Sequence, residues 1–238
     1  MQDRLLLLLV VTALCGFWET ETGWAQEFSR ITDAVLENPS PNDWIAWRGT
    51  HQSQGYTPLK QINRDNVRNL QLAWGWAIEE GNSQPAPIVY DGVMYLSGPG
   101  GIVHALDGAT GDLLWEYRHR VNGSLARVGS TPTATIRGLA LYDDKVYLNA
   151  PDARVIALDV RRGTVVWDTQ VADPADGFGF TAAPVIARGV VVSGLMGCRK
   201  FIDEKCALIG HDAQTGKRLW RVPTIPGADD PGNESWGD

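Results

Sequence analysis

Few of the side chains that ordinarily do chemistry stand together in this sequence. His51, His104, His119 and His211 are scattered, and no two have the spacing of a metal-binding pair. Each reads as a surface or strand histidine. GPGG at 98–101 lacks the Lys-Ser/Thr of a phosphate loop and reads as a turn. No G-x-S-x-G nucleophile elbow is present. Asn122-Gly-Ser and Asn233-Glu-Ser match the glycosylation triplet, but both sit in turn-like sequence. The one close pair is Cys198 and Cys206. In an exported protein such a pair suggests a disulfide, worth roughly 2–3 kcal/mol for so short a loop. Two free buried thiols are the alternative. A metal held by two Cys without a nearby His is a poor third choice.

The elements that would position any such residues are repeated. VHALDGATGDLLW (103–115), VIALDVRRGTVVW (155–167) and LIGHDAQTGKRLW (208–220) share one pattern: a short apolar run, Asp, three residues, Gly, three residues, Trp. Asp107, Asp159 and Asp212 are spaced 52 and 53 apart, and so are Trp115, Trp167 and Trp220. A fixed period of this length marks tandem supersecondary units. PIVYDGVMYLS (87–97) and LALYDDKVYLN (139–149) each read as two strands split by a turn. The VHAL or VIAL run supplies a third strand and the Trp segment a fourth. Four antiparallel strands per unit predict all-β propeller blades, with about three to four blades in an incomplete ring. The repeated indoles are expected to fill the blade interfaces rather than to catalyse. Trp74, at the end of INRDNVRNLQLAW, reads as the Trp strand of a preceding, partial blade. The third unit carries eight extra residues in GCRKFIDEKCA, so the Cys pair brackets a hairpin extension.

Bulk properties set the outer limits. A net charge of −7 over 238 residues argues against general affinity for nucleic acid. Residues 1–25 read as an export signal: a 14-residue apolar stretch (Leu5–Trp18) follows Arg4, and Gly23-Trp24-Ala25 supplies small residues before a cleavage point at Gln26. A periplasmic location follows. An uncleaved anchor, with loose membrane association, is the alternative for the same residues. Residues 26–42 read as a short helix and a Pro-broken linker, and 43–238 as the partial propeller. Three blades and a fraction do not close a ring, so the chain is expected to be the N-terminal part of something longer.

DWIAWRGTHQSQGYTPLKQINRDNVRNLQLAW followed by QPAPIVYDGVMYLSGPGGIVHALDGATGDLLW resembles the start of the quinoprotein alcohol dehydrogenases, which use pyrroloquinoline quinone (PQQ). The resemblance runs from about Asp43 to the last residue. It implies an eight-bladed propeller holding PQQ and a divalent cation, usually Ca²⁺, in an axial funnel. It implies oxidation of an alcohol or related hydroxyl compound by hydride transfer to the quinone, with a cytochrome c-type electron acceptor. Arg137 falls where the family places an arginine on a PQQ carboxylate. Thr181 matches a threonine that hydrogen-bonds the cofactor, Gln84 a glutamate or glutamine near the quinone, and Gly197 a glycine close to the ring. The pattern also departs from the family. Thr131-Pro132 stands where many members have adjacent cysteines, and Arg199 stands where a cation-binding glutamate is expected. Asp203 and Glu204 are the nearby acids. The family's catalytic aspartate is expected beyond residue 238. The alternative is a non-catalytic propeller of the same repeats, acting as an outer-membrane assembly scaffold or sensor ectodomain. The D-x-x-x-G-x-x-x-W signature is common to both; the YTPLKQIN stretch, Arg137 and Thr181 favour the enzyme.

Overall fold

The computed structural model describes residues 28–82, 84–121, 124–125, 135–197, 206–227 and 231–236. The expected export signal, Thr131-Pro132, Cys198, Arg199, Asp203 and Glu204 lie outside them. Among the described residues no helix is long and apolar enough to cross a membrane.

A five-residue helix, α1 (Asp33–Glu37), precedes the strands; the Thr32 hydroxyl accepts from Val35 N–H at its start. The first sheet runs β1 (Ile88–Tyr90), β2 (Val93–Ser97), β3 (Ile102–Asp107) and β4 (Leu113–Arg118). A two-residue hairpin that the sequence does not announce follows, β5 (Arg120–Val121) with β6 (Ser124–Leu125). The second sheet holds β7 (Ala140–Tyr142), β8 (Lys145–Ala150), β9 (Arg154–Asp159) and β10 (Val165–Gln170). The third holds β11 (Val185–Ala187), β12 (Val190–Leu195), β13 (Ala207–Asp212) and β14 (Arg218–Pro223). Each sheet is a four-stranded antiparallel meander with its strands in sequence order. Three such sheets side by side in an open arc are the expected blades. The β1–β2 and β11–β12 turns place Asp91-Gly92 and Arg188-Gly189 at positive φ, the geometry that matches strand twist in a two-residue hairpin.

The repeated Asp, Gly and Trp have separate tasks. Each Asp carboxylate caps its own turn: Asp107 accepts from Ala109 and Thr110 N–H, Asp159 from Arg161 and Arg162, and Asp212 from Gln214 and Thr215, at 2.8–3.1 Å. Each Gly closes that turn at φ of 67–79°. Its bare Cα then receives the indole of the preceding unit. A Cβ on Gly111, Gly163 or Gly216 would lie 2.4–2.7 Å from Trp74, Trp115 or Trp167. The indole N–H donates to the carbonyl just after the turn Asp: Trp74 to Gly108 (3.2 Å), Trp115 to Val160 (2.9 Å) and Trp167 to Ala213 (2.9 Å). Trp115 and Trp167 are 8% and 9% exposed, so they are interface filling, as expected.

Two of the indole expectations change. Residues 71–79 around Trp74 form no strand; the segment docks on the first sheet by side chains, without a partner ladder. Trp220 is 38% exposed, because no turn of a following sheet covers it among the described residues. It lies instead over Gly210 of its own sheet, where an added Cβ would meet it at 2.2 Å.

The two ends of the arc are bridged differently. At one end lie the first hairpin of each sheet and the Asp turn, joined by Gly108 N–H to Gly92 O, Val160 to Asp144 and Ala213 to Gly189. A strap of residues 28–33 crosses this end. Tyr90 donates to Ser29 O, Ile31 pairs with Asp143, and Arg188 N–H donates to Asp33. It therefore touches all three sheets. At the other end lie the second-to-third strand turns and the segments that lead into β1, β7 and β11.

Candidate functional site

The leading segments converge at that second end. Arg137 N–H donates to Thr181 O (3.1 Å), and Ala86 N–H donates to Arg137 O (3.1 Å). One backbone chain thus crosses all three sheets, and it brings Thr181, Arg137 and the Gln84 segment side by side. The Arg137 Nε donates to Gln84 Oε1 at 2.9 Å. Both side chains are exposed, and Thr181 is half-buried. Arg30, Arg118, Arg154 and Arg162 each pair with a carboxylate; among the described residues Arg137 does not. It is an arginine turned to solvent, oriented by a neutral amide, with guanidinium N–H groups available for an anion.

Gly197 connects to this site through backbone. Met196 and Gly179 form an antiparallel bridge, with N···O distances of 3.0 and 3.1 Å, two residues before Thr181. Gly197 itself, at φ 128°, packs so closely that a Cβ would meet Gly177 O at 2.6 Å and Phe178 Cα at 2.8 Å. Glycine there has a packing reason independent of any ligand. Cys206, at the head of β13, is buried and is not a free thiol. Its expected partner Cys198 lies outside the described residues.

Sequence reasoning missed one constellation. His104, expected to be an ordinary strand histidine, is 1% exposed, and its Nε2 lies 3.1 Å from Glu116 and 3.7 Å from Glu79. The three donor atoms fall within 4.8 Å of one another, close enough for one metal ion. Arg118 already fills that role: it bonds Glu79 Oε1 at 2.6 Å and both oxygens of Glu116 at 2.5 and 2.7 Å. Its hydrogen bonds hold the Glu116 carboxyl below its ordinary range, with desolvation opposing. The cluster is an ion-pair network between residues 76–79 and the first sheet, in which Trp76 Nε1, Glu79 Oε2 and His104 Nδ1 are buried without a hydrogen-bond partner among the described residues. The hairpin register could have exposed part of it, since Ala105 opposite Trp115 puts His104 opposite Glu116.

His119 and His211 are also buried, and His51 is exposed. His119 bridges Asp152 (2.9 Å) and the Tyr117 hydroxyl (3.3 Å) beside a cavity of about 340 Å³ between the first two sheets. The cavity's polar groups are largely spent on each other, as Arg154 bonds Asp168 and Gln170. Burial pushes His211 down to about 4, so it is neutral in its strand. Tyr95 and Tyr147 are pushed up by burial, each with its hydroxyl donating to the next sheet (Val160 O, Ala213 O).

Comparison with known proteins agrees with this arrangement. The PQQ family described as the glucose/ethanol/alcohol dehydrogenase β-propeller domain matches residues 44–238. The dehydrogenase subunit of a quinone alcohol dehydrogenase from Gluconacetobacter polyoxogenes is 39% identical over 197 residues, covering 78% of this chain and 26% of that protein. Quinohemoprotein alcohol dehydrogenase ADH IIB from Pseudomonas putida is 39% identical over 190 residues, with the same coverage of 78% and 26%. The solved structure of quinohemoprotein alcohol dehydrogenase ADHIIG from Pseudomonas putida HK5 superposes with a TM-score of 0.71 at 32% identity, covering 84% of this chain and 30% of that one. The chain thus spans about a quarter of the length of the curated relatives it matches, 26% in each case.

Proposed function

The chain belongs to the PQQ family of glucose, ethanol and alcohol dehydrogenase β-propellers, and from that premise we propose that it forms part of the cofactor-binding wall of a quinoprotein that oxidises an alcohol or related hydroxyl compound. The observation that carries this reading is the meeting of Gln84, Arg137 and Thr181 at one edge, with no carboxylate on Arg137 among the described residues. PQQ, when bound, supplies a quinone that accepts the hydride of the alcohol. The residues of this chain bind and orient. Arg137 fits a carboxylate of the cofactor by charge and by its planar N–H groups. Gln84 holds the Arg137 Nε and so fixes the plane of the guanidinium. Thr181 stands beside it through the backbone, its carbonyl accepting the Arg137 N–H. Gly197 follows Met196, whose bridge to Gly179 ties it to the Thr181 segment.

No cation ligands are assigned here. The Ca²⁺ or equivalent ion of the resemblance needs a set of oxygen donors, and at Glu79 and Glu116 the Arg118 guanidinium already occupies Glu79 Oε1 and both Glu116 oxygens. The proposed domain plan keeps residues 1–25 as a cleaved export signal, 26–42 as helix and linker, and 43–238 as propeller. The proposed location is the periplasm, with loose membrane contact as the alternative if the signal is retained. A cytochrome c-type protein, or a haem domain such as the names of the quinohemoprotein relatives indicate, is the proposed electron acceptor. Sequence similarity to named dehydrogenases favours this reading over the scaffold.

The test is cofactor titration of the full-length protein. PQQ with Ca²⁺ is expected to quench tryptophan fluorescence saturably and to support dye reduction with small alcohols, while residues 1–238 alone, an open arc, give no turnover. Absence of both quenching and turnover over an alcohol panel would favour the scaffold. The proposed Cys198–Cys206 bridge is checked separately. Alkylation of oxidised, unfolded protein should modify neither thiol until a reductant is added; two reactive thiols without reductant remove the bridge.

A further inference from the structure

Asn149 is fully buried near the end of β8, yet it carries a polar side chain. Its Nδ2 donates to Ala182 O at 3.0 Å, across the interface between the second and third sheets. Its Oδ1 accepts from Ser193 Oγ at 2.7 Å. The orientation is forced, because the Ala182 carbonyl can only accept and must face the NH₂ group. Ala182 adjoins Thr181, whose carbonyl receives the Arg137 N–H. The buried amide therefore stands at the root of the hydrogen-bond chain that crosses the site.

The blade itself does not require an amide at this place. The equivalent position is Ser97 in the first sheet, paired with Val103 as Asn149 is with Val155, and Gly194 in the third, paired with Leu208. Ser97 is just as buried, and its hydroxyl bonds nothing among the described residues. A small residue suffices for the strand, so the carboxamide answers to the segment above it. From this we infer that Asn149 is a positioning residue for the cofactor wall: it fixes the Thr181–Ala182 backbone and, through Thr181, the backbone of Arg137. Its bearing on the cofactor rests on the function proposed above; its grip on Arg137 does not.

The experiment compares Asn149→Ala with Tyr147→Phe in the full-length protein. Tyr147 lies in the same strand and interface, but its hydroxyl donates to Ala213 O (3.1 Å) at the opposite end. Asn149→Ala removes two interblade hydrogen bonds and Tyr147→Phe one, and both should lower the unfolding midpoint. Asn149→Ala should also speed hydrogen exchange of the peptide carrying Arg137, and raise the PQQ dissociation constant, each by about tenfold. Tyr147→Phe should change neither. Equal changes in the two variants, or an unchanged Arg137 amide in Asn149→Ala, would overturn the assignment. If the alanine variant does not fold, Ser193→Ala removes only the bond to Oδ1 and should give the same pattern at smaller size; no change there overturns it equally. If the unsubstituted protein binds no PQQ, the functional reading fails, and exchange at Arg137 still decides the part of Asn149.

Discussion

Trp115→Ala is expected to destabilise the fold by about 3–5 kcal/mol, the range for losing a large buried aromatic and leaving a cavity. The indole touches two sheets at once. It packs beside Tyr95 of its own sheet at 6.0 Å between ring centres, lies on Gly163 of the next, and donates to Val160 O. Removing it empties the interface and leaves the Val160 carbonyl only the longer bond from the Tyr95 hydroxyl, at 3.5 Å. The reciprocal change, Gly163→Ala, attacks the same contact from the other side. Its Cβ would fall 2.4 Å from the Trp115 ring, at a backbone φ of 67° that alanine adopts poorly. Chemical denaturation read by tryptophan fluorescence and far-UV circular dichroism measures both. The double variant should cost less than the sum of the two, because each removes part of one interaction. Full additivity would mean that the indole and the turn do not depend on each other.

Arg137→Ala is expected to weaken PQQ binding by the full-length protein about 10- to 150-fold, corresponding to loss of about 1.5–3 kcal/mol of charged hydrogen bonding. Stability should move little, since the side chain is exposed and its hydrogen bond is to the exposed Gln84. Gln84→Ala should give a smaller loss, because it frees the guanidinium plane but keeps the charge. Arg137→Lys should recover only part of the affinity, as an ammonium cannot present parallel N–H groups. Fluorescence titration at two salt concentrations checks this, with the wild-type affinity falling more steeply with salt than that of Arg137→Ala. Equal affinity in wild type and Arg137→Ala would take Arg137 out of the site.

Much of the fold was legible because its determinants are local. The turn Asp bonds amides two and three residues on, the turn Gly sits four residues from it, and the Trp follows at a fixed distance. A fixed local pattern fixes the hairpin register, and the register fixes which sheet face carries the indole. What failed was less local. Trp74 was expected on a strand, but a strand needs a partner ladder, and no spacing rule reveals one. Trp220 carries the same signature as its equivalents, yet its burial depends on a neighbouring turn that the signature does not encode. The candidate site was reached by resemblance, and its lattice could not be read in advance. Arg137 and Thr181 are 44 residues apart, and their bond exists only because two sheets pack side by side. Glu79 meets Arg118 because residues 71–79 dock on the first sheet, across 39 residues of chain.

The strap across the far end has a bearing on the order in which the molecule can be put together. Arg30 grips Asp143 over a separation of 113 residues, and Asp33 receives the Arg188 amide over 155. A ribosome delivers the strap first and its last anchor much later. The strap can thus seat on Tyr90 and Asp143 as the first two sheets form, but its last anchor waits until the hairpin bearing Arg188 has been made. The first hairpin of the third sheet is what completes the fastening of the strap.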